Sequence, residues 1–191
     1  MNSILDIFDL QAEDAPKIIA TLKKLVQEKS IPKGQVLQRY GTTKTKGFFV
    51  KKGLLRSYTI DEKGKEHIFM FAPEGWIISD VESHAHNAPS KLYIDAVEDS
   101  EIEVLAADSW KQLKMTPEIL QTNQQKLINR VAVLQRRVIM LMSASAKERY
   151  QHFLETYPQI VNRVPQKMIA SYLGITPEAL STTKRKMLKK D

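Results

Sequence analysis

After Pro117 the chain contains no glycine or proline until Pro158. Pro117 suits a first helical turn, where its missing N–H would have no partner anyway, and Thr116 is a fair N-cap with Glu118 close behind. Within this stretch Leu120, Leu127, Val131, Leu134, Val138, Leu141 and Ser145 recur mostly at alternating steps of four and three. That is the spacing of a helix that packs along another helix, so a continuous helix over Pro117–Ser145 is expected. Ile128, Ala132, Gln135, Ile139 and Met142 form a second stripe one position round from the first. One stripe can face a partner helix while the other faces the chain's own domain. The sequence therefore predicts a dimer seam through Leu127, Val131, Leu134, Val138 and Leu141. The alternative is a long core helix inside one globular domain.

With 191 residues the chain has room for one large domain or two small ones. Hydrophobic residues make up 42% and charged residues 27%, the balance of an ordinary soluble protein. No apolar run has the length of a membrane helix, and the opening MNSILDIFDLQAED is too acidic for a secretory signal. There is no cysteine, which excludes disulfides, thiolate metal sites and cysteine-ligated iron–sulfur sensing. A cytoplasmic setting without membrane attachment is expected, and no cofactor. The net charge of +7 is concentrated late: from Arg163 onward seven basic residues face only Glu178 and Asp191. Such an end suits a polyanion partner, or is simply a solvated face.

Glu13–Gln27 reads as an amphipathic helix, with Ile18, Ile19, Leu22, Leu25 and Val26 on one side. Between Ile31 and Leu105 the pattern changes to short strands punctuated by turns. They are expected over Gln35–Tyr40, Gly47–Lys51, Leu54–Ile60, Glu66–Phe71, Lys91–Ala96 and Glu101–Leu105. Asp61-Glu62-Lys63-Gly64 turns a hairpin, and the spacing suggests a sandwich or barrel. Trp110 and Leu113 fit a short helix before the long one. Asp80, Glu82, His84 and His86 alternate; on a strand they would share one face, as metal ligands do in cupin-type enzymes. The plain reading is a polar loop.

Beyond Pro158 lies Val164-Pro165-Gln166-Lys167-Met168-Ile169-Ala170-Ser171-Tyr172-Leu173-Gly174-Ile175-Thr176-Pro177-Glu178-Ala179-Leu180. It reads as a helix from Pro165, a tight turn at Gly174, and a second helix capped by Thr176 with Pro177 in its first position. Small Ala170 lets the helices approach, and Gly174 supplies a positive φ. This is a helix-turn-helix, although a plain αα-hairpin shares the turn. In the second helix Pro177, Glu178, Ser181 and Thr182 occupy early exposed turns, where Glu178 can accept from cytosine N4. Thr183, Lys184, Arg185 and Lys186 are placed for phosphates.

The ordered set Lys33-Gly34-Gln35-Val36-Leu37, Phe48 to Arg56, Gly64-Lys65-Glu66, Pro73-Glu74-Gly75-Trp76 and Ala96-Val97-Glu98-Asp99, followed by the long helix, resembles regulators of the Crp/Fnr family over nearly the whole chain. The resemblance implies a cyclic-nucleotide-binding-type β-roll and a helix that forms the dimer seam and relays a ligand signal to the DNA-binding end. It also implies a base-reading glutamate at Glu178. An arginine is common in the family where this chain has Thr182. Nucleotide-binding members carry a Gly-Glu pair and an Arg-Ser/Thr-Ala cassette; here Gly75-Trp76 replaces the first, and Ser90-Lys91-Leu92 stands at the second. The nearest acids are Asp80 and Glu82. Lys91 offers a charge without an arginine's bidentate fork, so cyclic nucleotides are not expected to bind. The pocket either takes an unidentified small effector or is filled by Trp76 and its neighbours. Many relatives continue into a β-wing, whereas this chain stops at Asp191, which would leave affinity resting more on its basic residues.

The expected architecture is α+β: a jelly-roll-like N-terminal β-roll with flanking helices (1–115), a long dimerisation helix (116–145), and a small all-α helix-turn-helix domain (146–191). The function that follows is a homodimeric, non-enzymatic transcription factor on near-palindromic double-stranded DNA. Two rivals remain: a β-barrel metalloenzyme using His84 and His86, and a true cyclic-nucleotide sensor.

Overall fold

The computed structural model describes residues 3–4, 15–106, 109 and 117–188. The expectations at Thr116, Trp110, Leu113 and the last three residues lie outside them. The chain divides into two compact units, residues 1–59 with 70–126 and residues 60–69 with 127–191.

In the first unit α1 (Ala15–Leu25) leads into β1 (Val26–Ile31), β2 (Val36–Gln38), β3 (Lys46–Lys52) and β4 (Leu55–Ile60). Then follow β5 (Glu66–Ala72), β6 (Ile77–Ile78), α2 (Val81–His86), β7 (Tyr93–Ala96) and β8 (Ser100–Ala106). The eight described strands form two four-stranded sheets, β1-β8-β3-β6 and β2-β7-β4-β5. Phe48 sits opposite both Val104 and Ile78, and Val50 opposite Ile102, so one face of the first sheet is a continuous apolar surface. Leu55, Ile94 and Ala96 join the same buried cluster. This is the expected β-roll.

Two segments differ from the sequence reading. The expected helix stops early, because Val26 to Ile31 pair residue for residue with Leu105 to Ser100. Six cross-strand pairs outweigh the weak helical preference of that segment. Residues 81–86 are a helix, neither the polar loop of the plain reading nor the alternating strand of its rival, begun by Asp80, whose carboxylate accepts from Ser83 N–H at 3.0 Å.

Gly53 turns the chain between β3 and β4 with φ +96°. A Cβ there would come within 2.7 Å of the Asp99 carbonyl oxygen, so the turn demands glycine for space as well as for φ. Arg56 on β4 grips Asp95 on β7 with two of its three guanidinium nitrogens, Nε to Oδ1 at 2.7 Å and Nη2 to Oδ2 at 2.9 Å. Both residues are buried, and the guanidinium lies 4.2 Å from the Tyr58 ring centroid.

The second unit gathers the 60–69 hairpin with the end of α3 (Pro117–Ser143), α4 (Ala146–Thr156), α5 (Gln166–Leu173) and α6 (Pro177–Leu188). Ser145 starts α4 with a capping box: its hydroxyl accepts from Glu148 N–H, and the Glu148 carboxylate accepts from Ser145 N–H at 2.8 Å. That bonding, the Ser145 hydroxyl first, holds the Glu148 carboxyl below the usual carboxylate range. The core is aromatic. Phe153 lies 5.5 Å from the Tyr157 ring and 5.6 Å from the Tyr172 ring, with Ile160, Ile169 and Leu180 buried alongside.

Candidate nucleic-acid interface

The α5–α6 turn has the form its sequence requires. Gly174 closes α5 at φ 66°, and Ile175 N–H returns to the Ala170 carbonyl at 3.1 Å. Thr176 caps α6 by accepting from Ala179 N–H at 3.2 Å, with Pro177 in the first turn. Leu180 is buried, while Thr176, Pro177, Glu178, Ser181, Arg185 and Lys186 are exposed. The Glu178 carboxyl is held below its ordinary range by its own backbone N–H and then by the Thr176 hydroxyl, so it is a carboxylate at neutral pH.

The remaining residues of the expected site are placed less simply. Thr182 is half-buried. Thr183 donates its hydroxyl to the Ala179 carbonyl at 2.8 Å. Lys184 reaches sideways to Gln166 Oε1 at 3.1 Å, with its ammonium 6.0 Å from the Tyr150 ring.

In the first unit the expected effector residues meet around a buried carboxylate. Asp80 Oδ2 accepts from Ser90 Oγ at 2.7 Å and from Lys91 N–H at 3.2 Å. Ser90 in turn accepts from Gln38 Nε2 at 2.8 Å. Lys91 turns its ammonium to Glu82 at 2.6 Å, and that bond raises its pKa. Trp76 packs, partly buried, against the core cluster. Because α2 is helical, Asp80, Glu82, His84 and His86 do not line one face. His84 Nδ1 meets Thr45 Oγ1 at 2.9 Å, while His86 is exposed on the last turn. Among the described residues no group of three or more acids and histidines is arranged to hold a metal.

Along α3 the row expected to form a seam is largely open to solvent in the single chain, with Leu141 half-buried. Leu127, Val131, Leu134 and Val138 are between 42% and 60% exposed. The second stripe was expected to face the chain's own domain; instead Ile128, Ile139 and Met142 are exposed too. Arg137, one position before Val138, is held within its own unit. It donates to the carbonyls of Phe69 and Ile68, and its guanidinium lies 4.0 Å from the Tyr172 ring centroid.

The family model for a cyclic nucleotide-binding domain matches residues 28–116. The electron transport regulator A of Shewanella oneidensis is 24% identical over 95% of this chain and 75% of its own length. The c-di-GMP-responsive global regulator CLP of Xanthomonas campestris shares the fold with a TM-score of 0.71 at 14% identity, over 92% of each chain. A putative Crp/Fnr-family transcriptional regulator from Eubacterium rectale superposes at a TM-score of 0.69 and 17% identity, over 91% of this chain and 83% of its own. This chain has the fold of Crp/Fnr-type regulators, and its β-roll matches the cyclic nucleotide-binding domain.

Sequence reasoning missed Arg149, which ties helix ends of the second unit together. Arg149 donates to Ala144 O at 3.0 Å and Leu141 O at 2.9 Å near the end of α3, and to Leu173 O at 3.1 Å at the end of α5. These are carbonyls that a helix terminus leaves without partners. Ser171 was missed as well. Its hydroxyl donates to Glu66 O at 2.7 Å and accepts from Ile68 N–H at 3.0 Å, fastening the hairpin to α5. The only local signal was a polar residue inside the run Met168–Leu173.

Proposed function

We propose that this chain is a homodimeric DNA-binding transcriptional regulator of the Crp/Fnr type that reads a near-palindromic site and does not respond to cyclic AMP or cyclic GMP. Residues 1–115 serve as an effector-type domain, 116–145 as the dimer helix and 146–191 as the DNA-binding domain, acting in the cytoplasm with no enzymatic step. The observation that carries the reading is α6. It is held by a glycine turn and a threonine cap, with Glu178, Ser181, Arg185 and Lys186 on its open side. A two-fold seam along α3 would present two such helices to half-sites about one helical turn, ~34 Å, apart.

Selection of bound duplexes from random DNA tests this. A selected site should bind far more tightly than a scrambled one at physiological salt; identical isotherms would leave only non-specific polyanion binding. Lys186→Ala should weaken binding to every sequence and lower the salt slope by about one counterion per half-site. Glu178→Ala should relax the preference at one symmetric pair of positions, by roughly 1–3 kcal/mol of discrimination.

The nucleotide prediction rests on Asp80. A cyclic phosphate needs a cation and free N–H groups, and each charge-assisted bond contributes about 1.5–3 kcal/mol. Here Ser90 stands at the arginine position, and both its hydroxyl and the Lys91 N–H are taken by an internal carboxylate. Titration calorimetry should give no saturable heat with either nucleotide. Micromolar binding would overturn this part of the reading and make Lys91 the first phosphate ligand to examine. Any effector of the β-roll is then a small molecule of another kind.

A further inference from the structure

Lys184, Arg185 and Lys186 look like one basic run, but on a helix successive residues point about 100° apart. Leu180 is buried and fixes the inward side of α6. From that reference the three cations take three directions. Lys184 lies along the flank toward α5, where Gln166 Oε1 receives its ammonium at 3.1 Å. Lys186 is exposed on the opposite flank. Arg185 lies between them, seven residues after Glu178 and therefore only about 20° from it around the axis. It is exposed, and among the described residues no side chain or carbonyl partners its guanidinium.

We propose that Arg185 is a base-reading residue, pairing bidentately with a guanine in each half-site, while Lys184 and Lys186 hold the phosphate walls on either side. This rests on the DNA-binding reading of α6 given above. A major groove about 12 Å wide admits one helix, and the residues opposite the helix's buried side face the base edges. Glu178, Arg185 and the flanking Ser181 occupy that outward side here. Glu178 and Arg185 are separated by a rise of about 10 Å along the helix, roughly three base-pair steps. A planar guanidinium fork matches guanine O6 and N7 together, which a lysine ammonium cannot do. An arginine at the centre of the open face, unpartnered among the described residues, is the chain's best candidate for that contact. Thr182, one turn earlier, is half-buried and offers only a hydroxyl.

The test compares Arg185→Lys and Arg185→Ala with the unmodified protein on its selected site, on the same site with the guanine replaced, and on a scrambled duplex. Arg185→Lys keeps the charge, so binding to the scrambled duplex and the salt slope should stay within about twofold of the unmodified protein. The preference for guanine at one symmetric pair of positions should fall by about tenfold to a hundredfold. Arg185→Ala should lose the same preference and some general affinity. The assignment is overturned if Arg185→Lys retains the full guanine preference. It is equally overturned if Arg185→Ala weakens selected and scrambled duplexes by the same factor, which is the signature of a phosphate contact. An unmodified protein that selects no sequence at all overturns the regulator reading itself, and this assignment with it.

Discussion

Leu134→Asp combined with Val138→Asp should convert the protein from dimer to monomer in sedimentation velocity at micromolar concentration. In the single chain Leu134 is 42% and Val138 56% exposed, one turn apart on α3. Covering such side chains in a seam recovers part of the roughly 1.5–3 kcal/mol that full burial of a large apolar side chain is worth. The double change removes that gain from both helices and puts four unpaired carboxylates where water is excluded, each costing several kcal/mol. Every 1.4 kcal/mol lost raises the dissociation constant tenfold, so dimers should vanish from the accessible range. Affinity for the two-half-site DNA should fall by about 10²–10⁴, because the second half-site is no longer reached from a tethered partner. Helix content should be unchanged, since both positions are solvent-facing within one chain. An unmodified protein that already sediments as a monomer at this concentration would refute the seam.

Phe153→Ala should cost about 3–5 kcal/mol, the range for emptying a fully buried aromatic site. Phe153 has no exposed surface and stands between Tyr157 and Tyr172, stacked also on Tyr150 at 6.5 Å between centroids. These rings join α4 to α5, and α5 carries the turn that sets α6. A loss of this size is a large fraction of the stability of any small domain. Denaturant unfolding should show an early transition in the variant, and sequence-specific DNA binding should be lost. Phe153→Leu, which leaves a smaller void, should lose less and keep binding. A change below 1 kcal/mol in Phe153→Ala would mean that the aromatic cluster does not hold the helix-turn-helix.

What the sequence determined alone was whatever local chemistry decides. The α5–α6 motif could be read residue by residue, since the φ of Gly174 and the cap at Thr176 depend on only a few neighbours. That a long helix starts at Pro117 followed from the absence of breakers after it, although it ends at Ser143 where the Ser145 cap begins α4; the β-roll followed from short apolar runs between glycine turns. The tertiary structure decided what depends on residues far apart in the chain. Val26–Ile31 is a strand because β8 pairs with it, and no periodicity inside six mostly polar residues announces that. Asp80 and Ser90 are ten positions apart, yet their bond occupies the groups that a phosphate would use. Arg137 leaves its helix for carbonyls of a hairpin 68 positions earlier, which an arginine on a charged helix face gives no reason to expect. Even the division of labour in the basic run needed the fold. Spacing gives the angles between Lys184, Arg185 and Lys186, but only the burial of Leu180 says which of them faces outward.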